Sequence, residues 1–326
     1  MIKSYEVSIE LEGENIPSSS LLAIFPYHLR GAFGYALKDV CCRRKDQRAC
    51  AMLHCDSVFD CPFPFIFKPM RAIFHGRPML RKLRYVPRPF IFTPLLSRRE
   101  FLSFCLRIFG TAIKYETDII RALAGLKNRS FYKGKVRLKI REIAIVKDLM
   151  GFRATLYSSD GYFAKYPLET GILHDGEIED WAKRNVCILG RGGGITLEFL
   201  TPVSFPRMDE GKGCIAPSDL VRYGARRRSL LNYFYKGRFF YDADEVMELM
   251  KWTDSRAEVI DQRLRPIPMA VKGRTGFYEG RISFRLAEDG EMAWKVLDLL
   301  KFGEYMGIGK MTAFGFGQYS LKFLGR

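Results

Sequence analysis

Two stretches, FLSFCLRIFGTAIKYETDIIRALAGL at residues 101–126 and RISFRLAEDGEMAWKVLDLLKFG at residues 281–303, pass through the same pattern of apolar alternation, glycine and apolar-periodic helix. In the first, a strand ends near Phe109, Gly110 interrupts, and a helix follows from Thr111 to Ala124. In the second, a strand over Arg281–Leu286 leads through Gly290 into a helix over Glu291–Lys301. Working outward, each stretch lies within the same order of elements. Ahead of the first, Tyr5, Val7, Ile9 and Leu11 alternate with Glu6, Ser8 and Glu10, which predicts a strand with one buried face. Ser18, Ser19 and Ser20 offer N-caps for a helix reaching about Cys42, with Pro26 at a kink or at the first turn of a restarted helix. A short strand at Phe90–Phe92 follows. Behind the first stretch, Val136, Leu138 and Ile140 alternate with Arg137, Lys139 and Arg141, giving a strand whose outer face is basic.

The second half repeats the order. It has a strand over Thr196–Phe205, a helix capped by Ser218 and running through Phe234, and a second helix over Asp244–Trp252. Strands at Ile267–Val271 and Arg281–Leu286 pair, and Gln318–Phe323 closes the series. Each half reads β-α-β-β-α-β, the ferredoxin-like unit of an antiparallel sheet with helices on one face. The fold class is therefore α+β, two tandem ferredoxin-like domains related by a weak internal repeat. The boundaries fall at 1–160, a linker at 161–195, and 196–326, with a cysteine-rich insertion at about 41–88.

Composition agrees with a packed globular chain. Of 326 residues, 48% are hydrophobic and 27% charged, which argues against a disordered or fibrous protein. Lys and Arg number 53 against 36 Asp and Glu, so the formal charge is 53 − 36 = +17. A field of that sign favours a polyanion, either nucleic acid or an anionic membrane surface. No apolar run approaches the roughly 20 residues that span a bilayer, and the start lacks a signal-peptide core, so the expected location is the cytoplasm with no membrane partner. Of 8 cysteines, Cys41, Cys42, Cys50, Cys55 and Cys61 crowd one segment, whereas Cys105, Cys187 and Cys214 stand apart and read as buried thiols. Cys42, Cys50, Cys55 and Cys61 supply the four thiolates a structural zinc requires, with Cys41 spare. The spacing is looser than a paired knuckle, and free thiols are the competing reading.

Between the last helix and last strand lies GEYMGIGKMTAFGFGQYSL, residues 303–321. Gly307, Gly309, Gly315 and Gly317 surround Lys310, a composition that lets loop N–H groups converge on an anion or simply makes a tight connection. It precedes a strand, which rules out a dinucleotide fingerprint. The stretch GIGKMTAFGFGQYSL resembles the C-terminal glycine-rich signature of the CRISPR-associated repeat-processing endoribonucleases of the RAMP superfamily. LRGAFGYALK (29–38), the cysteines after it, RPF (88–90), TPVSF (201–205), YGARRRSLL (223–231) and GRISF (280–284) fit one branch of that family in order. The resemblance implies two ferredoxin-like domains. It also implies sequence-specific cleavage of precursor CRISPR RNA, without a catalytic metal or other cofactor, by attack of the ribose 2′-OH on the adjacent phosphate.

Such a reaction needs a base, an acid and cations on the developing charge. His28 starts the first long helix beside Tyr27 and Arg30, in the region where the resemblance places catalytic groups, and Tyr35 and Lys38 follow on a similar helical face. His54 lies among the cysteines as ligand or loop residue, and His75 and His174 lie in polar loops. The expected catalytic set is His28, Tyr27, Tyr35 and Lys38. Consecutive helical positions are about 100° apart, so Arg226, Arg227 and Arg228 cannot all face inward. With Arg30, Arg274, Gly307, Gly309, Lys310, Gly315 and Gly317 they form the expected RNA-binding set. Trp181, Trp252 and Trp294 read as core or interface residues. The expected partner is CRISPR repeat RNA, with other CRISPR effector subunits beside it. The competing readings are a RAMP subunit that grips RNA without cutting it, and a basic protein on anionic membranes, for which no Lys-rich amphipathic helix is found.

Overall fold

The computed structural model describes residues 1–13, 24–42, 50, 55, 60–69, 80, 83, 86–98, 101–131, 136–191, 193–205, 214–271, 273–286 and 290–324. In chain order the first half contains β1 (Ile2–Gly13), α1 (Phe25–Cys41), α2 (Pro62–Phe67), β2 (Phe90–Phe92), β3 (Leu96–Arg98) and β4 (Phe101–Phe109). A 3-10 turn over Gly110–Tyr115 then leads to α3 (Glu116–Ala124), β5 (Ser130–Phe131), β6 (Val136–Lys147) and β7 (Phe152–Ser158). β1 pairs antiparallel with both β4 and β6, giving the order β2-β4-β1-β6-β5, with β3 on β4 and β7 on β6. α4 (Asp175–Asn185) crosses to the second half. There follow β8 (Gly194–Val203), α5 (Pro217–Lys236), α6 (Ala243–Arg256), β9 (Ala257–Ile267), β10 (Phe277–Leu286), α7 (Gly290–Met306) and β11 (Tyr319–Leu324). Its sheet runs β11-β8-β10-β9. Numbering each unit's own strands one to four, both sheets have the order 2-3-1-4 read from one edge, the arrangement of tandem ferredoxin-like domains.

The alternation read in β1 holds: Tyr5, Val7 and Ile9 enter the first core beside Phe104, Leu106 and Ile108 of β4. α1 covers them with Leu29, Phe33, Ala36 and Leu37, an i, i+4, i+7, i+8 face. Pro26 occupies the helix's first turn, where its missing N–H costs nothing. Ser18–Ser20 lie outside the described residues. The outer face of this sheet is not a bare basic stripe. Arg141 donates through Nε to Glu10 at 2.6 Å, Lys139 reaches the same carboxylate at 3.3 Å, and Arg153 pairs with Glu6 at 2.7 Å and with Glu142.

Several boundaries differ from the sequence reading. The strand placed at Ile267–Val271 is instead β9, ending at Ile267, because its charged residues project from an edge where no helix hides them. Ser218 is not the cap of α5; Ala216 is, with Pro217 in the first turn. The segment read as linker contains α4, closed by a reciprocal capping box between His174 and Glu177. Cys187 and Cys214 are exposed, not buried. Trp181, Trp252 and Trp294 pack on the second core as expected. Among the described residues no helix is long and apolar enough to cross a membrane.

The halves share a third apolar cluster: Ile2, Ile91 and Phe109 of the first meet Leu231, Tyr235, Phe302, Tyr305 and Met306 of the second. Burying each such side chain stabilises by roughly 1.5–3 kcal/mol. Arg107 of β4 donates across this seam to the Glu304 and Tyr305 carbonyls at 2.8 and 3.2 Å. Leu80 and Leu83 of the insertion pack on Leu230 of α5. Beneath the seam lies an ion network. Arg228, 0% exposed, pairs with Asp298 and stands 3.8 Å from Asp175, which also pairs with Lys236.

Candidate active site

The first two turns of α1 carry Tyr27, His28 and Arg30, all half-buried, at the end facing the second domain. Among the described residues no side chain caps this helix start, and the Tyr27 N–H donates to the Ile24 carbonyl at 3.0 Å. Burial pushes the His28 imidazole below its usual 6.5, which favours the neutral, proton-accepting form at neutral pH. Tyr27 meets the His28 ring edge-on at a centroid distance of 5.5 Å.

The glycine-rich loop closes over this turn from the second domain. It is an interior element, in keeping with the tight connection that composition allowed beside an anion cradle. The N–H groups of Gly307, Ile308, Lys310, Gly315, Gly317 and Gln318 donate to Gly303, Gly317, Ser204, Thr312 and Pro202 carbonyls and the Thr201 hydroxyl, at 2.7–2.9 Å. Gly315, at φ +86°, abuts Pro26 where a Cβ would collide, and Gly317, at φ +69°, likewise abuts the Ile308 carbonyl. What the loop turns toward α1 is Phe314. Its ring stacks on Tyr27 at 5.9 Å and 20°, and the Arg30 guanidinium carbon lies 4.1 Å from its centroid.

Three guanidinium groups gather here. Arg30 is sandwiched between Phe314 and Phe67, the latter at 4.7 Å; Arg88 donates to the Phe67 carbonyl at 2.7 Å and stands 5.9 Å from Phe314. Arg227 of α5 donates to the Met306 carbonyl at 3.3 Å. Tyr235, whose hydroxyl donates to the Pro87 carbonyl at 2.9 Å, lies within electrostatic reach of both Arg88 and Arg227. Among the described residues none of the three has a carboxylate in ion-pair range, and Arg30 Nε and Arg227 Nη2 are buried without a hydrogen-bond acceptor. Burial, with repulsion from Arg88, lowers Arg30 to about 10; burial lowers Arg227 to about 10 and pushes Arg88 down as well. Desolvated cations without counter-ions are costly, so the arrangement suits an incoming anion.

The structure thus brings Tyr27, His28, Arg30 and Arg227 to one seam and adds Arg88, whose only signal in the sequence was the RPF match. Other candidates fall elsewhere. Tyr35 is 65% exposed and lies about 10 Å along the helix from His28, and Lys38 about 15 Å, at 1.5 Å per residue. Arg226 is exposed, and Arg228 is a structural residue buried against Asp298 and the rings of Phe240 and Phe302, not an RNA contact. Arg274 is exposed at the β9–β10 turn, and Lys310 is half-buried in the loop. His174 caps α4, while His54 and His75 lie outside the described residues.

In the cysteine segment the thiol touching Cys61 is Cys41, left spare by the sequence reading, at 3.8 Å. The hydrogen-bonded contact between the two thiols holds the Cys61 thiol down and pushes the Cys41 thiol up. Cys50, raised mainly by burial, lies within electrostatic reach of Cys42, Cys55 and Cys61. Among the described residues no three His, Cys, Asp or Glu side chains converge on a metal position.

Two family profiles match the chain: an N-terminal domain, AF_1859_N, over residues 24–167, and CRISPR-associated endoribonuclease Cas6 over residues 197–319. Comparison with curated proteins gives no match. A Cas6 product complex superposes with TM-score 0.56 at 16% identity, over 99% of this chain and 100% of that one. Thermus thermophilus Cas6 superposes at 0.53 with 17% identity, over 99% and 98%. A chain of a partial Cas6-RT-Cas1–Cas2 complex superposes at 0.53 with 12% identity, over 100% of this chain and 46% of that one. At these identities the superpositions establish the fold.

Proposed function

We propose that the chain is a CRISPR-associated endoribonuclease of the Cas6 kind that holds CRISPR repeat RNA across the seam and cuts it by 2′-OH attack, a reading supported by the Cas6 profile match over residues 197–319. The observation that carries this reading is the set of guanidinium groups, Arg30, Arg88 and Arg227, that meet no carboxylate among the described residues, at the seam to which α1 also brings the half-buried His28. His28 accepts the 2′-OH proton as the 2′-oxygen bonds to phosphorus. Arg30, Arg88 and Arg227 stabilise the phosphorane charge, and the bond to the 5′-oxygen breaks as that oxygen takes a proton, for which Tyr27 is the candidate donor. The products are a 2′,3′-cyclic phosphate and a 5′-hydroxyl. Cas6 product complexes and a Cas6-RT-Cas1–Cas2 complex support RNA as the partner and further CRISPR proteins as associates. Incubation of labelled repeat RNA with the protein in EDTA tests the reading. A shortened product ending in a cyclic phosphate supports it, and a gel shift without cleavage refutes it in favour of a gripping subunit.

If the seam arginines hold RNA phosphates, Arg88→Ala and Arg227→Ala should each reduce the slope of log K against log salt by about 0.7–0.9. Titration at several salt concentrations measures this, and an unchanged slope would remove that residue from the RNA path.

A second proposal concerns zinc. Two thiolates on one tetrahedral zinc, at about 2.3 Å each, stand about 3.8 Å apart, and Cys41 and Cys61 have that separation. The pair fits two ligands of a structural zinc, with the others drawn from Cys42, Cys50 and Cys55. Elemental analysis should find close to one zinc per chain, lost with thermal stability in Cys41→Ser/Cys61→Ser. Metal-free protein whose native thiols all react with a labelling reagent would end the idea.

A further inference from the structure

The N–H groups of Gly307, Ile308, Lys310, Gly315, Gly317 and Gln318 are bonded within the loop's own domain, and toward the seam the loop turns a side chain. That side chain is Phe314, at the end of the 3-10 turn Thr312–Phe314. One ring meets three groups of the first domain: Tyr27 in parallel stacking at 5.9 Å, Arg30 at 4.1 Å and Arg88 at 5.9 Å. Arg30 and Arg88 repel each other, and neither has a carboxylate among the described residues to hold it. The aromatic face compensates in part, because a guanidinium is attracted to a ring's electron-rich face. The ring itself is fixed. Gln318 donates to the Phe92 carbonyl of β2 and to the Gly315 carbonyl at 3.1 Å, while Gly315 rests on Pro26.

We propose that Phe314 is a positioning residue for cleavage: from the second domain it sets Tyr27 and Arg30, and through the Tyr27 ring, which meets the His28 ring edge-on, it sets the His28 imidazole. The inference rests on the reading of His28 and the seam arginines given above. The loop's glycines then serve to bring this ring to the helix start. Loss of the ring frees the two guanidinium groups to separate and opens the Tyr27 side of His28 to water.

The test compares Phe314→Leu, which keeps apolar bulk without a π face, with Phe314→Tyr, which keeps both. At saturating repeat RNA, Phe314→Leu should cleave roughly 10- to 100-fold more slowly in a single turnover, as expected for misplaced catalytic groups, with affinity little changed. Phe314→Tyr should stay near the wild-type rate. Without RNA, NMR titration of His28 should move up toward 6.5 in Phe314→Leu and stay in place in Phe314→Tyr, since burial is what depresses it. If Phe314→Leu unfolds early, Phe314→Met serves instead. Wild-type protein that cuts no RNA defeats the functional reading alone, and the titration still judges the positioning role. A Leu variant with wild-type rate and an unmoved His28 overturns the inference.

Discussion

Replacing His28 by Ala is expected to slow single-turnover cleavage of repeat RNA by roughly 10²- to 10⁴-fold, with affinity almost unchanged. Proton transfer contributes in the transition state, whereas in the proposed reading ground-state binding falls to the guanidinium groups of the seam. The pH dependence carries the same signature. Burial lowers the His28 pKa below 6.5, so the base is protonated and inactive only on the acid side. The wild-type rate should climb with pH on a limb lying below 6.5 and then level off, and that limb should vanish in His28→Ala. A repeat RNA with a 2′-deoxyribose before the scissile phosphate should not be cut, because it lacks the nucleophile. An active His28→Ala with deoxy inhibition would move the base elsewhere, and cleavage of the deoxy substrate would discard 2′-OH attack.

The second large effect is on stability. Arg228→Ala leaves Asp298, 2% exposed, without the guanidinium that pairs with it, and breaking a buried pair in this way costs about 3–5 kcal/mol. Burial already raises the Asp298 pKa despite Arg228, and removing Arg228 raises it further. A carboxyl raised in the folded state favours folding where it is protonated and loses that contribution as pH climbs through its folded value. The deficit of Arg228→Ala should therefore be largest at neutral pH and shrink on acidification. Denaturant unfolding at pH 5 and 7.5 measures it. Arg228→Met/Asp298→Leu should recover most of the loss, since apolar replacement removes the orphaned charge. A pH-independent deficit would show that lost packing, not the ion pair, is responsible.

The α+β tandem was legible because burial writes period-two and helical patterns wherever one face meets a core. Tyr5, Val7 and Ile9 point inward, and so do Leu29, Phe33 and Leu37. β9 escaped notice because Glu258, Val259, Ile260, Arg263 and Arg265 are all exposed on an edge strand, which needs no alternation. At the site, Tyr27, His28, Arg30 and Arg227 were within reach of sequence reasoning. Arg88 showed only in the RPF match, since a loop arginine carries no periodic signal and its partners are a carbonyl and a ring from remote segments. Helical spacing drew in Tyr35 and Lys38, because a shared face says nothing of the axial distance from the reacting group. Three consecutive arginines point three ways, and only packing shows that Arg228 is the inward one. The glycines left two readings open because composition reports what backbone N–H groups can do, whereas the bonds of Lys310, Gly317 and Gly307 to the Ser204, Pro202 and Gly303 carbonyls show what those three do.

The apolar seam also has a meaning for synthesis of the chain. Ile2, Ile91 and Phe109 emerge from the ribosome well before the helices that cover them, which belong to α5 and α7. At about 5–20 residues per second, the roughly 130 residues from 196 onward need about 7–26 s. For that interval the first domain displays the apolar surface that its successor later conceals, and Leu80 and Leu83 of the insertion wait with it for Leu230. The nascent half-protein is thus a client for chaperones by construction, and anything that slows translation of the second half prolongs its exposure to aggregation.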